Sequence, residues 1–202
     1  MNYAETYQKS LTDPEGFWRE QAALIPWFEA PEAILDQDET GLWRWFRGGK
    51  LNTAYIALDQ HVLAGRGESL ALIYDSPVTG VIQKYTYAEL TQWTARVAGG
   101  LTDLGVGKGD RVVIYMPMIP ETVVTMLACA RIGAVHAVVF GGFAAPELAL
   151  RIDDAKPKVV VSASCGVEFD RVIPYKPLLD SAIAQASHRV EHTVIVQRPQ
   201  LK

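Results

Sequence analysis

Residues 110–143 read DRVVIYMPMIPETVVTMLACARIGAVHAVVFGGF, and the fold turns on them. Val112, Val113 and Ile114 form a β-branched run, which suits a buried strand over 111–115. Pro117 and Pro120 stop that strand and stiffen the loop MPMIP. Pro120 and Glu121 then suit the first turn of a helix, where a missing N–H costs nothing. The helix runs through Val123, Val124, Met126, Leu127, Ala130 and Ile132. It is apolar nearly all round, which predicts deep burial. Gly133 ends it, and a second apolar run over 134–140 follows at once. Two buried strands joined by a helix predict a parallel βαβ unit with a right-handed crossover. Ligands in such sheets sit beyond the carboxyl ends of the strands, where both MPMIP and the turn after Phe140 fall.

The same rhythm continues outward. Downstream, Ala145-Pro146-Glu147 opens a helix through Leu148, Leu150 and Ile152 that Lys156-Pro157 ends. A third buried strand is expected over 159–162, a helix over 177–186 and a fourth strand over 193–196. Upstream, strands over 70–74 and 81–85 flank SPVTG and predict a hairpin. Thr86 and Glu89 form a capping-box pattern, and the helix behind it carries Leu90, Trp93, Val97, Leu101 and Leu104 at helical spacing. Alternating strands and helices predict a doubly wound, mostly parallel α/β sheet. A sheet that stops at 193–196 leaves an unpaired edge.

Further toward the amino terminus the rhythm fails. Asp13-Pro14-Glu15 predicts a helix start, and that helix ends before Pro26. Residues 31–41 read as an acidic loop. Trp43, Trp45 and Phe46 alternate with Arg44 and Arg47 in a short strand, read as an anchor for the arm. A helix through Tyr55, Ile56, Leu58, Val62 and Leu63 ends at Gly65 and Gly67. The expected division is a helical and aromatic arm over 1–66 and an α/β subdomain over 67–202.

Composition excludes several function classes. The 202 residues are 49% apolar and 21% charged, with a net charge of −4. Such a chain suffices for one solid core and has no basic footprint for nucleic acid or an anionic membrane. No apolar run reaches the length of a membrane span. The first residues, MNYAETYQKSLTDPEGFW, resemble neither a secretory nor a transit peptide. Cys129 and Cys165 lack metal spacing, which favours a reduced, cytoplasmic chain.

Four motifs invite a chemical reading. Gly105-Val106-Gly107-Lys108-Gly109 looks like a phosphate loop, but it follows a helix and opens a strand, so a helix-stop turn is expected. His188-Arg189-Val190-Glu191-His192 spells a zinc-protease pattern, yet a strand follows at once and no further ligand is in place. A helix-to-strand turn is expected, and no metal site. Phe140-Gly141-Gly142-Phe143 sits at a strand's carboxyl end. Its glycines serve equally a ligand approaching the backbone or a tight turn with core phenylalanines. Gly166-Val167-Glu168-Phe169-Asp170-Arg171 follows the third strand in the same position. On its own, Arg171 reads as a surface charge.

Several blocks together resemble the AMP-forming acyl-CoA synthetases, in the branch of acetyl- and propionyl-CoA synthetases. YMPMIPE, ACARIGA, VVFGGF and RIDDAKPKVV carry the resemblance, with WFRGGKLNTAY, GVGKGDRVVIYMPMIPE and IPYKPLLDSAI in the same order. It covers the chain from about Trp43 onward and implies the amino-terminal part of the large adenylate-forming domain. The implied chemistry joins a short carboxylate to coenzyme A. ATP and acid form an acyl-adenylate with release of pyrophosphate, magnesium serves the triphosphate, and the thiol displaces AMP. The resemblance places Phe140, Gly141, Gly142, Glu168, Phe169, Asp170 and Arg171 against coenzyme A. Two arginines are often found in the last of these segments. Here Glu168 stands where the first would be, and Arg171 keeps the second. Glu168 then holds a ribose hydroxyl or a partner arginine, and leans the reading toward propionate, with acetate as the alternative. No Ser/Thr/Gly-rich loop ending in Lys-Gly is present, and no catalytic residue is expected in this chain. The chain is therefore expected to be the amino-terminal portion of a longer ligase, inactive without its carboxyl-terminal remainder. The rival reading is a non-catalytic α/β module that binds coenzyme A or a nucleotide, or that self-associates.

Overall fold

The structure is a computed structural model that describes residues 2–142 and 144–201. The chain divides into two units, one up to Asn52 and one from Thr53 onward.

The first unit holds two helices and a hairpin. α1 (Tyr3–Thr12) starts at a reciprocal capping box between Asn2 and Glu5. The polar composition hides this helix, which buries none of its residues and is set by its cap rather than by an apolar stripe. α2 (Pro14–Ala22) begins as expected, with the Gly16 N–H donating to Asp13 and Pro14 in the first turn. β1 (Ala33–Gln37) pairs antiparallel with β2 (Trp43–Arg47), placing Leu35 opposite Trp45. β1 replaces the middle of the loop expected over 31–41, where Asp36 is a cross-strand partner, while 38–41 stay a turn. Asp36 pairs with Arg47 at 2.9 Å. Asp38 accepts from Arg44 Nε at 2.6 Å and from the Thr40 and Leu42 N–H groups, which closes the turn. Trp45 stacks edge-on against Trp18 at 5.5 Å within the same unit.

In the second unit, residues 53–66 form one irregular helix. Tyr55–Asp59 and Val62–Arg66 are wide π-type turns, and Gly65 takes a left-handed φ of 77°. The sequence reading groups this segment with the arm. In the structure Leu58 is buried with Leu90 and Val124, inside the second unit. β3 (Leu70–Ser76) and β4 (Val81–Thr86) make the expected antiparallel hairpin. The Thr86–Glu89 capping box then starts α3 (Tyr87–Asp103).

The centre is a four-stranded, wholly parallel sheet. β5 (Arg111–Met116) leads through α4 (Pro120–Ile132) to β6 (Val135–Phe140), and Gly133 turns the chain with φ 73°. α5 (Ala145–Ala155) crosses back to β7 (Val159–Ala163). A hairpin, β8 (Cys165–Glu168) and β9 (Arg171–Pro174), precedes α6 (Tyr175–Gln185) and β10 (His192–Val196). The strand order is β10-β7-β5-β6, so β6 and β10 are the edges. Successive β5 residues point to opposite faces. Val112, Ile114 and Met116 pack under α3 and α4 with Ala98, Leu101 and Ala128. Val113 and Tyr115 pack under α5 and α6 with Leu148, Ile152 and Leu179. The result is the doubly wound α/β arrangement, helices on both faces of a parallel sheet. It also explains why α4 is apolar almost all round: Ala128 and Cys129 face the sheet while Val124 meets Leu58 and Leu90.

Candidate functional site

The carboxyl ends of the strands are Met116, Phe140, Ala163 and Val196, and all four open toward the same rim of the sheet. From β5, the chain goes to β6 on one side and reaches β7 on the other. That reversal of direction is the place where open α/β sheets hold ligands.

After β5, the MPMIP loop is fastened by the Thr122 hydroxyl and the Ile119 N–H, both donating to the Pro117 carbonyl at 2.8 Å. Against it, residues of β3 line a mostly apolar cavity of about 260 Å³ with Met118, Ile119, Pro120 and Val123. A second cavity of about 160 Å³ lies beside Glu121, Val196, Gln197 and Arg198. An apolar groove of about 290 Å³ runs from Trp93 and Val97 to Val194 and Val196. None of these three cavities is lined by a residue that the sequence assigned to coenzyme A.

Those assigned residues fall in two places. Phe140, at the end of β6, is 73% exposed. Gly141 and Gly142 follow, and Phe143 lies outside the described residues. A Cβ on Gly141 would overlap the Tyr175 hydroxyl, and one on Gly142 would reach the Phe140 ring at 2.6 Å. Packing against the buried Tyr175 therefore already requires glycine at 141, with no ligand needed to explain it, whereas the exposed Phe140 ring can turn away from a side chain at 142.

Residues 166–171 belong to the β8–β9 hairpin. Glu168 pairs opposite Arg171, with Phe169 and Asp170 at the tip. Phe169 is 91% exposed and has a φ of 51°. A left-handed backbone at a non-glycine residue costs on the order of 1 kcal/mol and is a recurrent mark of binding loops. Glu168 and Arg171 stand 3.8 Å apart, both well exposed, so water screens the pair and leaves the guanidinium available.

The structure joins these two places through a residue that the sequence reading passed over. Tyr175, the first residue of α6, is 5% exposed and stacks on Tyr115 with ring centroids 5.0 Å apart. A Cβ on Gly166 would lie 2.7 Å from its ring, so Tyr175 is wedged between the turn after β6 and the base of the hairpin. Burial pushes its hydroxyl up to about 12; the Tyr115 and Glu168 charges add to this, and Arg198 opposes it. Arg198, 9% exposed, donates from Nη1 to the Cys165 carbonyl at 3.0 Å. Its backbone N–H meets Ser164 Oγ at 2.9 Å. Only the PY dipeptide at a helix start could have pointed to Tyr175, and Arg198 left no signal in the sequence.

The other two motifs have structural employment. In the GVGKG turn, the Asp110 carboxylate accepts from the Gly107 N–H at 2.9 Å and pairs with Lys158 at 2.8 Å. In the HRVEH segment, His188 Nε2 contacts the Pro157 carbonyl at 2.9 Å, while His192 opens β10.

A sequence profile described as AMP-binding enzyme matches residues 59–201, which is most of the chain. The chain belongs to the AMP-binding enzyme family. A second profile, acetyl-coenzyme A synthetase N-terminus, matches residues 3–57. Among curated relatives, an uncharacterised protein of Pseudomonas aeruginosa is 58% identical over 200 residues, 99% of this chain and 32% of its own length. Human acyl-CoA synthetase short-chain family member 3, mitochondrial, is 46% identical over 99% of this chain and 29% of its own length. The propionate–CoA ligase of Escherichia coli is 47% identical over 98% of this chain and 31% of its own length. The chain thus spans about a third or less of the length of these curated relatives. Among the described residues, no helix is long and apolar enough to cross a membrane.

Proposed function

We propose that this chain is the coenzyme A flank of an AMP-forming short-chain acyl-CoA synthetase, with propionate preferred over acetate. The observation that carries the reading is the family match joined to the exposed pair of Phe140 and the β8–β9 tip at the carboxyl ends of the strands. ATP and a short carboxylate form an acyl-adenylate with release of pyrophosphate, and the coenzyme thiolate then attacks the acyl carbon and displaces AMP. The residues that transfer the acyl group lie outside this chain. Propionate is favoured by relatives that carry that name, and acetate is the alternative that the amino-terminal profile suggests.

Within this chain, Phe140 and Phe169 offer exposed aromatic faces to an adenine or pantetheine, and Arg171 offers a guanidinium fork to a coenzyme phosphate. Gly141, Gly142 and Asp170 complete that wall, and Glu168 takes a ribose hydroxyl or restrains Arg171. Magnesium enters with the ATP. Among the described residues no group of three or more His, Cys, Asp or Glu could hold a metal, so no side chain here is assigned to it. Two buried, unpaired cysteines support a reducing, cytoplasmic setting.

In the full-length enzyme, Arg171→Ala should raise the apparent KM for coenzyme A about tenfold, the scale of one lost charge-assisted hydrogen bond. Acid-dependent ATP–pyrophosphate exchange should stay nearly intact. Equal losses in both assays would remove the coenzyme role. A self-associating module is the second reading, favoured by Val135, Val138 and Phe140 exposed along edge strand β6. Light scattering of the purified chain decides it, since a monomer leaves that reading without support.

A further inference from the structure

We infer that Tyr175 is a positioning residue that sets the spacing between the Gly141–Gly142 turn and the β8–β9 hairpin, and through that spacing the grip on coenzyme A. The inference rests on the coenzyme-facing reading of these two segments. Its geometric basis is independent of it.

Three elements converge on one ring. The turn after β6 approaches the hydroxyl side: a Cβ at Gly141 would overlap Oη, while the nearest ring carbons, Cε2 and Cζ, stand at 3.1 Å. The hairpin base approaches the other edge: a Cβ at Gly166 would lie 2.7 Å from Cε1, 2.8 Å from Oη and 2.9 Å from Cζ. Tyr115 of β5 stacks on the ring at 5.0 Å with the planes 26° apart. Tyr175 itself is held at the start of α6, where its N–H donates to the Ser164 carbonyl at 3.0 Å. Arg198 donates to the Cys165 carbonyl next to that contact. The ring is therefore fixed by the sheet on one side and by the main chain on the other. The two segments that carry Phe140 and Phe169 close onto it. Interiors of this density do not absorb an added methyl without displacing a neighbour. A methyl at either glycine displaces one wall of the site relative to the other, and a small misplacement of a binding wall weakens the ligand that spans it.

The two clashes differ in kind, which makes the test specific. The clash at Gly141 is dominated by the hydroxyl, whereas the clash at Gly166 involves the ring as well as the hydroxyl and persists, at 2.7 Å from Cε1, when the hydroxyl is removed. In the full-length enzyme, Gly141→Ala and Gly166→Ala should each raise the coenzyme A KM about tenfold, with pyrophosphate exchange within about twofold of the parent. Tyr175→Phe alone should change the KM little. Combined with Gly141→Ala, it should restore most of the affinity. Combined with Gly166→Ala, it should restore little. Circular dichroism melts of each variant confirm that the enzyme is folded.

Equal rescue of both glycine variants, or of neither, overturns the inference. So does a fall in pyrophosphate exchange that matches the rise in KM, since that reports a general loss of structure. If Arg171→Ala weakens coenzyme A but the glycine variants do not, Tyr175 loses its role and the coenzyme reading stands. If the glycine variants show the split rescue while Arg171→Ala changes nothing, the brace stands and the phosphate role of Arg171 falls. If none of them moves the coenzyme KM, both readings fail.

Discussion

Asp110 shows what a turn sequence is for when it is not a phosphate loop. Gly105 and Gly109 take φ values of 81° and 84°, which wrap the main chain around one carboxylate. Asp110 there accepts from Lys158 Nζ at 2.8 Å and from the Gly107 N–H at 2.9 Å. The Lys158 hydrogen bond above all, then the Gly107 N–H, holds the carboxyl below its ordinary value of 3.8. A carboxylate whose folded pKa is depressed stabilises the fold above its unfolded pKa. That contribution fades as pH falls through the folded value. Stability measured by urea denaturation should therefore drop more steeply below about pH 4 in the parent than in Asp110→Asn. Parallel acid limbs for the two proteins would show that the pair contributes nothing.

Helix starts are where single elements are decided. The Thr86 N–H donates to Glu89 at 2.8 Å, and the Glu89 N–H donates back to the Thr86 hydroxyl at 3.2 Å. Both groups are polar donors that α3 would otherwise leave unpaired. Thr86→Ala should cost about 1 kcal/mol of stability, read as a shift in urea midpoint with an unchanged slope. An unchanged midpoint would mean that water substitutes fully for the hydroxyl. α4 has no side-chain cap at Ile119 and relies on Pro120 in its first turn and on burial. The β8–β9 hairpin is the opposite case. It carries none of the Asn-Gly or Asp-Gly turn chemistry that marks two-residue hairpins, and it forms with Phe169 in a left-handed backbone. Pairing across Gly166–Ile173 and Val167–Val172, and the seat of Gly166 on Tyr175, impose a turn that local propensity disfavours.

On the scale of the whole molecule, the four parallel strands divide the second unit's core into two faces. Cys129 belongs to the face under α3 and α4. Burial pushes its thiol up to about 12, so the reactive thiolate is scarce at neutral pH. In a Cys165→Ser background, a disulfide reagent should label Cys129 only as fast as the sheet opens, and the rate should climb with added urea. Fast labelling in native buffer would mean that the face under α4 opens locally, apart from the rest. The edges of the sheet carry the other molecular consequence. Val135 and Val138 lie exposed on β6, and an uncovered apolar edge is a surface for further chain or for a second copy.

Much of this molecule was legible in one dimension. The β-branched run at 112–114, the proline and glycine stops at 120 and 133, and the Thr86–Glu89 box each state a local preference, and the parallel sheet agrees with all of them. Phe140 to Gly142 and Glu168 to Arg171 are singled out by the family resemblance; strand order by itself marks only the rim of the sheet on which they lie. Three-dimensional pairing decided the rest. β1 exists because Asp36 and Asp38 meet Arg47 and Arg44 across a turn. The β8–β9 hairpin exists because its strands pair against a disfavoured tip. Gly141 and Gly166 are glycines because one tyrosine, further along the chain than either, fills the space where their side chains would be. Local preference is a property of neighbouring residues and can be read along the chain. Steric exclusion between separate segments exists only once the chain has folded, and no spacing in the sequence encodes it.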